Sequence, residues 1–276
     1  MPGLGENIVA NILATILIAL AGWVLSIGLR LPFVFRKRRR LFGFLGIGQG
    51  RPSFTVYLST VFVRPGGSVD FRGASRTFMG PAIPSAELSV VEPISRLFHE
   101  PVLDGLPNAV RRGLGERVHW SFQRIAPTFS ASPQDRNRVE PGNILTIGSQ
   151  YYNSAGDLYT ETCSPILKME QRGNSMIIRV QRGPRSGDTF EQRPGQMDDL
   201  AIVEKLKDTP TASTIFIAAG LGVVGTMGAT QFIADNWEKL KQDFGNKQFA
   251  VCLRFQNVAD DPQAFRKPVE LSRFQD

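Results

Sequence analysis

Cysteine and histidine are almost missing from this chain, which has Cys163, Cys252, His99, His119 and no others. The two cysteines stand 89 positions apart with no histidine near either, so neither a zinc site nor a disulfide framework can be assembled from them. Two reduced, buried thiols fit the cytosol. Neither histidine has a Ser or Asp at a spacing that suggests a triad, and His119 beside Trp120 reads as packing. Charge is sparse outside one block. Of the formal +7, Arg30, Arg36, Lys37, Arg38, Arg39 and Arg40 supply six. The rest of the chain is nearly neutral, which argues against nucleic acid as a partner. The basic cluster at 36–40 is left to anionic lipid headgroups, at about 1 kcal/mol per side chain near a membrane surface.

Charged residues are absent altogether from two stretches, Ile8 to Leu29 and Thr209 to Ala234. The first holds twelve Leu, Ile, Val or Phe residues in twenty-two. As a helix rising about 1.5 Å per residue it covers a hydrocarbon core of roughly 30 Å. "RLPFVFRKRRR" follows it, while only Glu6 and the amino terminus are charged on the other side. This bias predicts a single span of a cell inner membrane, N-terminus outside and body in the cytoplasm. A cleaved signal peptide ending at Ala19-Leu20-Ala21 is the competing reading. The uncharged n-region, the apolar run beyond that site and the five consecutive basic residues count against it. The expected division is a short extracytoplasmic tail (1–7), a transmembrane helix (8–29), a basic juxtamembrane linker (30–51) ending in the glycine-rich "LFGFLGIGQG", and a cytosolic domain (52–276).

The second uncharged stretch has eight such apolar residues in twenty-six, with four glycines, and its flanking lysines show no bias. It is a marginal span. Within the body, "SFTVYLSTVFVRPGGSVDF" reads as a β-rich run, a Pro-Gly-Gly turn and a second short strand. "IPSAELSVVEPISRLF" reads as a helix capped by Ser85 and kinked at Pro93, and "DGLPNAVRRGLGERVHW" as one more short helix. The segment "APTFSASPQDRNRVEPG" is a polar loop. "NILTIG", "SMIIRVQRG", "DDLAIVEKLKD", "STIFIAAG" and "KQFAVCLRF" are strands, and "TMGATQFIADNWEKLKQDF" is a helix beginning near Thr226. Uninterrupted β-branched runs alternating with helices predict an α/β, Rossmann-like, mostly parallel sheet with helices on both faces, preceded by one transmembrane helix.

Between "STIFIAAG" and that helix, Gly220, Gly222 and Gly225 satisfy G-x-G-x-x-G. Such glycines let backbone amides approach phosphate oxygens at a helix N-terminus, with Thr226 and Gly228 following. A tight structural turn makes the same demand. In a dinucleotide fold the next strand ends in an acid that holds the ribose, but here "LRFQN" offers Arg254, so NAD(P) takes second place. The loop after "NILTI" contains Gly148, Ser149, Tyr151, Asn153 and Ser154, short polar donors at a strand's carboxyl end with a tyrosine able to stack on a base. A turn capped by Asn153 fits the same residues. Asp157 and Glu161, four apart on one helix face, are either an acid pair for glycosidic chemistry or a solvated face. No metal site is expected.

The segment "IFIAAGLGVVGTMGATQFI" resembles the nucleotide-binding segment of the Smf/DprA and LOG-like Rossmannoid superfamily, SLOG. The resemblance covers some thirty residues. Members with phosphoribohydrolase activity carry Pro-Gly-Gly-x-Gly-Thr-x-x-Glu, which aligns with Leu221 to Ala229, so Ala229 replaces the glutamate. Together with related sirtuin-like and TIR-like sensors, the resemblance implies a receptor for a nucleotide-derived signal in bacterial antiphage defence, with membrane disruption on activation. The ligand class is a cyclic nucleotide or ADP-ribose derivative, with NAD as a further candidate, and no cofactor or catalysis is implied. Ala14, Ala21 and Gly22 in the span suggest a homo-oligomer. The alternatives are a membrane-tethered NAD(P)-using or NAD-cleaving enzyme, and a scaffold whose glycine loop serves packing alone.

Overall fold

A computed structural model of the chain describes residues 4–48, 53–59, 61–63, 68–71, 74–77, 80–82, 89–99, 119–125, 139–173, 175–192, 197–256, 258 and 263–275. In chain order the elements are α1 (Leu4–Leu45), β1 (Ser53–Ser59), β2 (Val61–Val63), β3 (Ser68–Phe71), β4 (Ala74–Thr77), β5 (Gly80–Ala82), α2 (Val91–Phe98) and β6 (His119–Ile125). They continue with β7 (Asn143–Ile147), α3 (Ser154–Thr162), β8 (Leu167–Arg172), β9 (Ser175–Val180) and β10 (Thr189–Glu191). The last are β11 (Asp199–Asp208), β12 (Ser213–Gly220), α4 (Val223–Phe244), β13 (Phe249–Phe255) and β14 (Val269–Gln275). The chain divides into two units, one containing α1 up to Leu41 and the other comprising Phe42–His99 and Arg117–Asp276.

Among the described residues, α1 is the one helix long and apolar enough to cross a membrane. Its large side chains are open, Ile18 at 73% and Leu25 at 66% exposure, so water is a poor solvent for this surface. The helix does not stop at the basic block. Arg, Lys and Leu are good helix formers, and α1 continues through 36–40 to Leu45 before Gly46 ends it in the left-handed region at φ +77°. There the Ile47 amide donates to the Phe42 carbonyl at 2.8 Å, as in a Schellman cap. The stretch expected to be a linker is thus helical up to Leu45, and Phe44, Leu45 and Ile47 are buried.

The body is mixed α/β around a seven-stranded sheet of order β14-β13-β11-β12-β7-β1-β6. β12, β7, β1 and β6 are mutually parallel, whereas β11, β13 and β14 pair antiparallel. The expectation of a mostly parallel sheet therefore holds at the centre and fails on one side. Only Thr209 to Ala212 separate β11 from β12, too few residues for a crossover, so the two strands form a hairpin.

Strand alternation sorts the core by face. Ile215, Ile217 and Ala219 of β12 join Leu200, Ile202, Ala250 and Cys252 in one cluster, with Ala155 and Tyr159 of α3 and Met169, Ile178 and Val180 of the β10-β9-β8 sheet. Phe216 and Phe249 point the other way, towards α4. Helices were expected on both faces, but α3 shares its face with a small antiparallel sheet. β4, β5, β6, β8, β10 and β14 were not foreseen. The short helix expected over "DGLPNAVRRGLGERVHW" lies outside the described residues, except that His119 and Trp120 open β6. Ser85 lies outside them too. Pro93 sits in the first turn of α2, where its missing amide costs nothing, and most of the helix expected before it lies outside the described residues.

Phe44 joins the α4 face, with ring centroids 5.0 Å from Phe216, 6.2 Å from Phe249 and 6.4 Å from Trp237. Lys205 Nζ stands 5.0 Å from the Phe44 ring. Phe44→Ala should cost about 3–5 kcal/mol of body stability through the cavity it leaves, measurable by thermal melting.

Candidate functional site

The two loops singled out in the sequence leave neighbouring strands at the same edge. Ile147 of β7 pairs with Ala218 of β12, and the Gly148 amide donates to the Ala218 carbonyl at 3.0 Å. Gly148 has φ +104°, open to glycine alone at low cost, and turns the chain away from the sheet. The helices that follow take opposite faces: α3 packs in the Ile215 cluster and α4 on the Phe216 side. Divergence of this kind marks the carboxyl ends of the strands as the place where open α/β sheets hold ligands.

In the β7 loop, the Ser149 carbonyl accepts from the Tyr152 and Asn153 amides, closing a turn. Asn153 is fully buried. Its side-chain oxygen accepts from the Ala155 and Gly156 amides at 3.0 and 3.1 Å, and its amide donates to the Tyr57 and Ile147 carbonyls. It is the N-cap of α3, pinning the loop to β1 and β7, and has no hydrogen-bonding capacity left for a ligand. Ser154 is also fully buried, and among the described residues its hydroxyl has no hydrogen-bond partner. Tyr151 is 38% exposed and donates to the Met169 carbonyl at 3.3 Å, with burial raising its pKa. Asp157 and Glu161 sit on α3, with Glu161 exposed.

The glycine loop is held from inside. Asp199, at the start of β11 and 4% exposed, accepts from the Gly222 amide through Oδ1 at 2.9 Å and from the Gly225 amide through Oδ2 at 2.8 Å. Oδ1 also takes the Leu200 amide at 2.9 Å. The carboxylate thus stands where a phosphate would meet the N-terminus of α4, and it complements the helix dipole in a helix with no acid in its first turn. The glycines follow from this packing. A Cβ on Gly222 would lie 2.6 Å from Asp199 Oδ2, one on Gly225 would lie 2.7 Å from the Leu200 carbonyl, and one on Gly228 would lie 2.2 Å from the Phe255 ring. At Gly220 a Cβ would meet the Thr226 amide at 2.2 Å. The Thr226 hydroxyl accepts from the Gly220 amide and donates to the Gly222 carbonyl, closing the turn. α4 begins at Val223, three residues before the expected start.

No family model, curated protein or solved structure matches the chain. The remaining expectations are therefore judged on geometry. Ala229 is fully buried on α4. Arg254, where a ribose-binding acid was sought, is 8% exposed, pairs with Asp198 at 3.5 Å and donates to the Glu191 carbonyl at 3.1 Å. Cys252 is buried and Cys163 half-buried, and both are free thiols. His99 follows the last turn of α2. Among the described residues no cluster of His, Cys, Asp or Glu is suited to a metal.

Asp198 and Asp199 read in the sequence as a strand entry, which Asp199 is, but its contact with the glycine loop was missed although the signal was present. Reading "DDLAIVEKLKDTPTASTIFIAAGLG" as a hairpin pairs Ala201 with Gly220, and two further steps set Asp199 opposite Gly222.

Proposed function

We propose that this chain is a membrane-anchored receptor whose Rossmann-like body holds a nucleotide-derived signal, a cyclic nucleotide or ADP-ribose derivative, in the crevice between the β7 and β12 loops. The observation that carries this reading is the divergence of α3 and α4 to opposite faces after two adjacent parallel strands. Ser154, with its buried hydroxyl, and the half-open ring of Tyr151 supply the polar and stacking elements on the β7 side. Asp199 already fills the Gly222 and Gly225 amides, so a ligand phosphate falls to the outer first-turn amides of Val223 and Val224, which have no intrahelical acceptor. Ala229 leaves this site without the SLOG glutamate, so the ligand is recognised and not hydrolysed.

The α1 helix anchors the receptor in the inner membrane, with the basic block at 36–40 on the cytoplasmic side. In the antiphage setting that the SLOG resemblance implies, ligand binding clusters the bodies and the spans disturb the bilayer. A melting-temperature series on the full chain in uncharged detergent, with cyclic dinucleotides, ADP-ribose and NAD, tests the site. One ligand should raise the midpoint by roughly 5–10 °C at a hundredfold excess over its Kd, and Ser149→Trp should abolish the rise. A flat series would sink the receptor reading. NAD turnover lost in Glu161→Gln would replace it with the enzyme alternative.

A further inference from the structure

At the other end of the sheet lies a cavity of about 200 Å³ between the turn after β9 and the edge strand β14. Gln248 immediately precedes β13, whose first residue Phe249 pairs with Lys205 near the carboxyl end of β11, so this is the edge away from the glycine loop. Among the described residues the lining includes Arg182, Arg185 and Arg273 with the apolar Ile166 and Phe274, and no Asp or Glu. We propose that this cavity is a phosphate-group site in which Arg182 and Arg185 carry the recognition.

The arginines are fixed before any ligand arrives. The Arg185 guanidinium lies 5.5 Å from the Phe274 ring and 5.7 Å from Phe190, and it donates to Asp188 at 2.7 Å and to Ser272 at 2.6 Å. Those bonds use two of its five donors. Arg182 donates to the Gln248 side chain at 3.2 Å and acts electrostatically on the buried Glu204, while Gly183, at φ +94°, turns the backbone between the two arginines. Arg273 is held by Glu270 and Asp243, as Arg185 is by Asp188, so the site rests on the remaining donors of the guanidinium forks and not on uncompensated charge. Pre-organised guanidinium forks suit phosphate and carboxylate oxygens, and the volume is below the roughly 300–1,000 Å³ of pockets for drug-sized molecules. A small phosphomonoester and an anionic lipid headgroup share this chemistry.

The experiment uses the full chain at pH 7 in two arms. In dodecyl maltoside, glycerol 1-phosphate is titrated and melting is followed. In nanodiscs, phosphatidylcholine alone is compared with phosphatidylcholine containing phosphatidylglycerol. A saturable rise of roughly 5–10 °C in one arm supports the site, and the responding arm identifies the source of the phosphate. Arg182→Gln and Arg185→Lys should each weaken the apparent affinity at least tenfold, with Arg266→Gln as an unaffected control. The lysine variant retains charge without the fork, so it separates recognition from loss of the fold. No rise in either arm, or an equal rise in wild type and both variants, overturns the proposal.

Discussion

Asp199→Ala should lower body stability by about 3–5 kcal/mol, a melting shift of roughly 10 °C, without any change in the side chains of the β7 loop. Three amides lose their acceptor at once: Leu200, Gly222 and Gly225. Each buried donor left unsatisfied costs about 1–3 kcal/mol, and water reaching half-buried Gly222 offsets part of the sum. The α4 N-terminus also loses the anion that complements its dipole. Asp199→Asn should recover little. An amide keeps one acceptor for the Oδ1 partners but turns a donor towards the Gly225 amide. The decisive arm is chemical rescue. Formate should occupy the vacated helix N-terminus and restore part of the melting temperature in Asp199→Ala, with no comparable effect on the wild type. A variant within about 2 °C of wild type, or one that formate leaves unmoved, would refute the role of internal anion.

Asp199 also marks where the sequence stopped being legible. Alternation and punctuation located most elements: "STIFIAAG" is β12 to the residue, "NILTI" is β7, and the uncharged run from Ile8 lies within α1. These signals are local, because side-chain period and glycine placement are properties of a few neighbouring residues. Strand direction is not local in that sense. β11 looked like any other buried strand, and only the short Thr209–Ala212 connection betrays a hairpin. Reading it as parallel hid both the antiparallel half of the sheet and the carboxylate that faces the glycine loop.

The same limit shaped the site. A G-x-G-x-x-G pattern reports that backbone must approach something closely, without saying what. Here the close neighbours are Asp199, the Leu200 carbonyl and the Phe255 ring, all distant in sequence. Asn153 was legible as either a ligand donor or a cap. Its complete burial and four protein partners decide for the cap. The basic block shows the converse case. It reads as charge but not as structure, because helix propensity and the burial of Phe44 extend α1 through a stretch whose glycines suggested an interfacial linker.

Stability should pass through a minimum near pH 8, set by two adjacent residues of β11 that are buried on opposite faces of the sheet. Glu204 is fully buried and accepts from the Ile166 and Leu167 amides, joining β11 to the start of β8. Burial raises its pKa to about 8 against the opposing pull of those amides and of Arg182. A raised folded value means that its contribution is fully present below the unfolded value of 4.5 and is lost as pH rises through 8. Lys205, beneath Phe44 and Phe216, is lowered from 10.5 to about 8 by burial and then by Lys241 and Lys207. Its contribution has the opposite sense: present above 10.5 and lost as pH falls through 8. Below pH 8 the cost of Glu204 falls away, and above it that of Lys205 does. At about 1.4 kcal/mol per pKa unit, each limb is worth on the order of a few kcal/mol. Glu204→Gln keeps an acceptor for the β8 amides while removing the titration. It should flatten the acid limb, match wild type near pH 5 and exceed it in stability at pH 9. Melting curves from pH 5 to 10 on both proteins check this. An acid limb that survives in Glu204→Gln would mean that other carboxylates set it and that Glu204 stays ionised in the core.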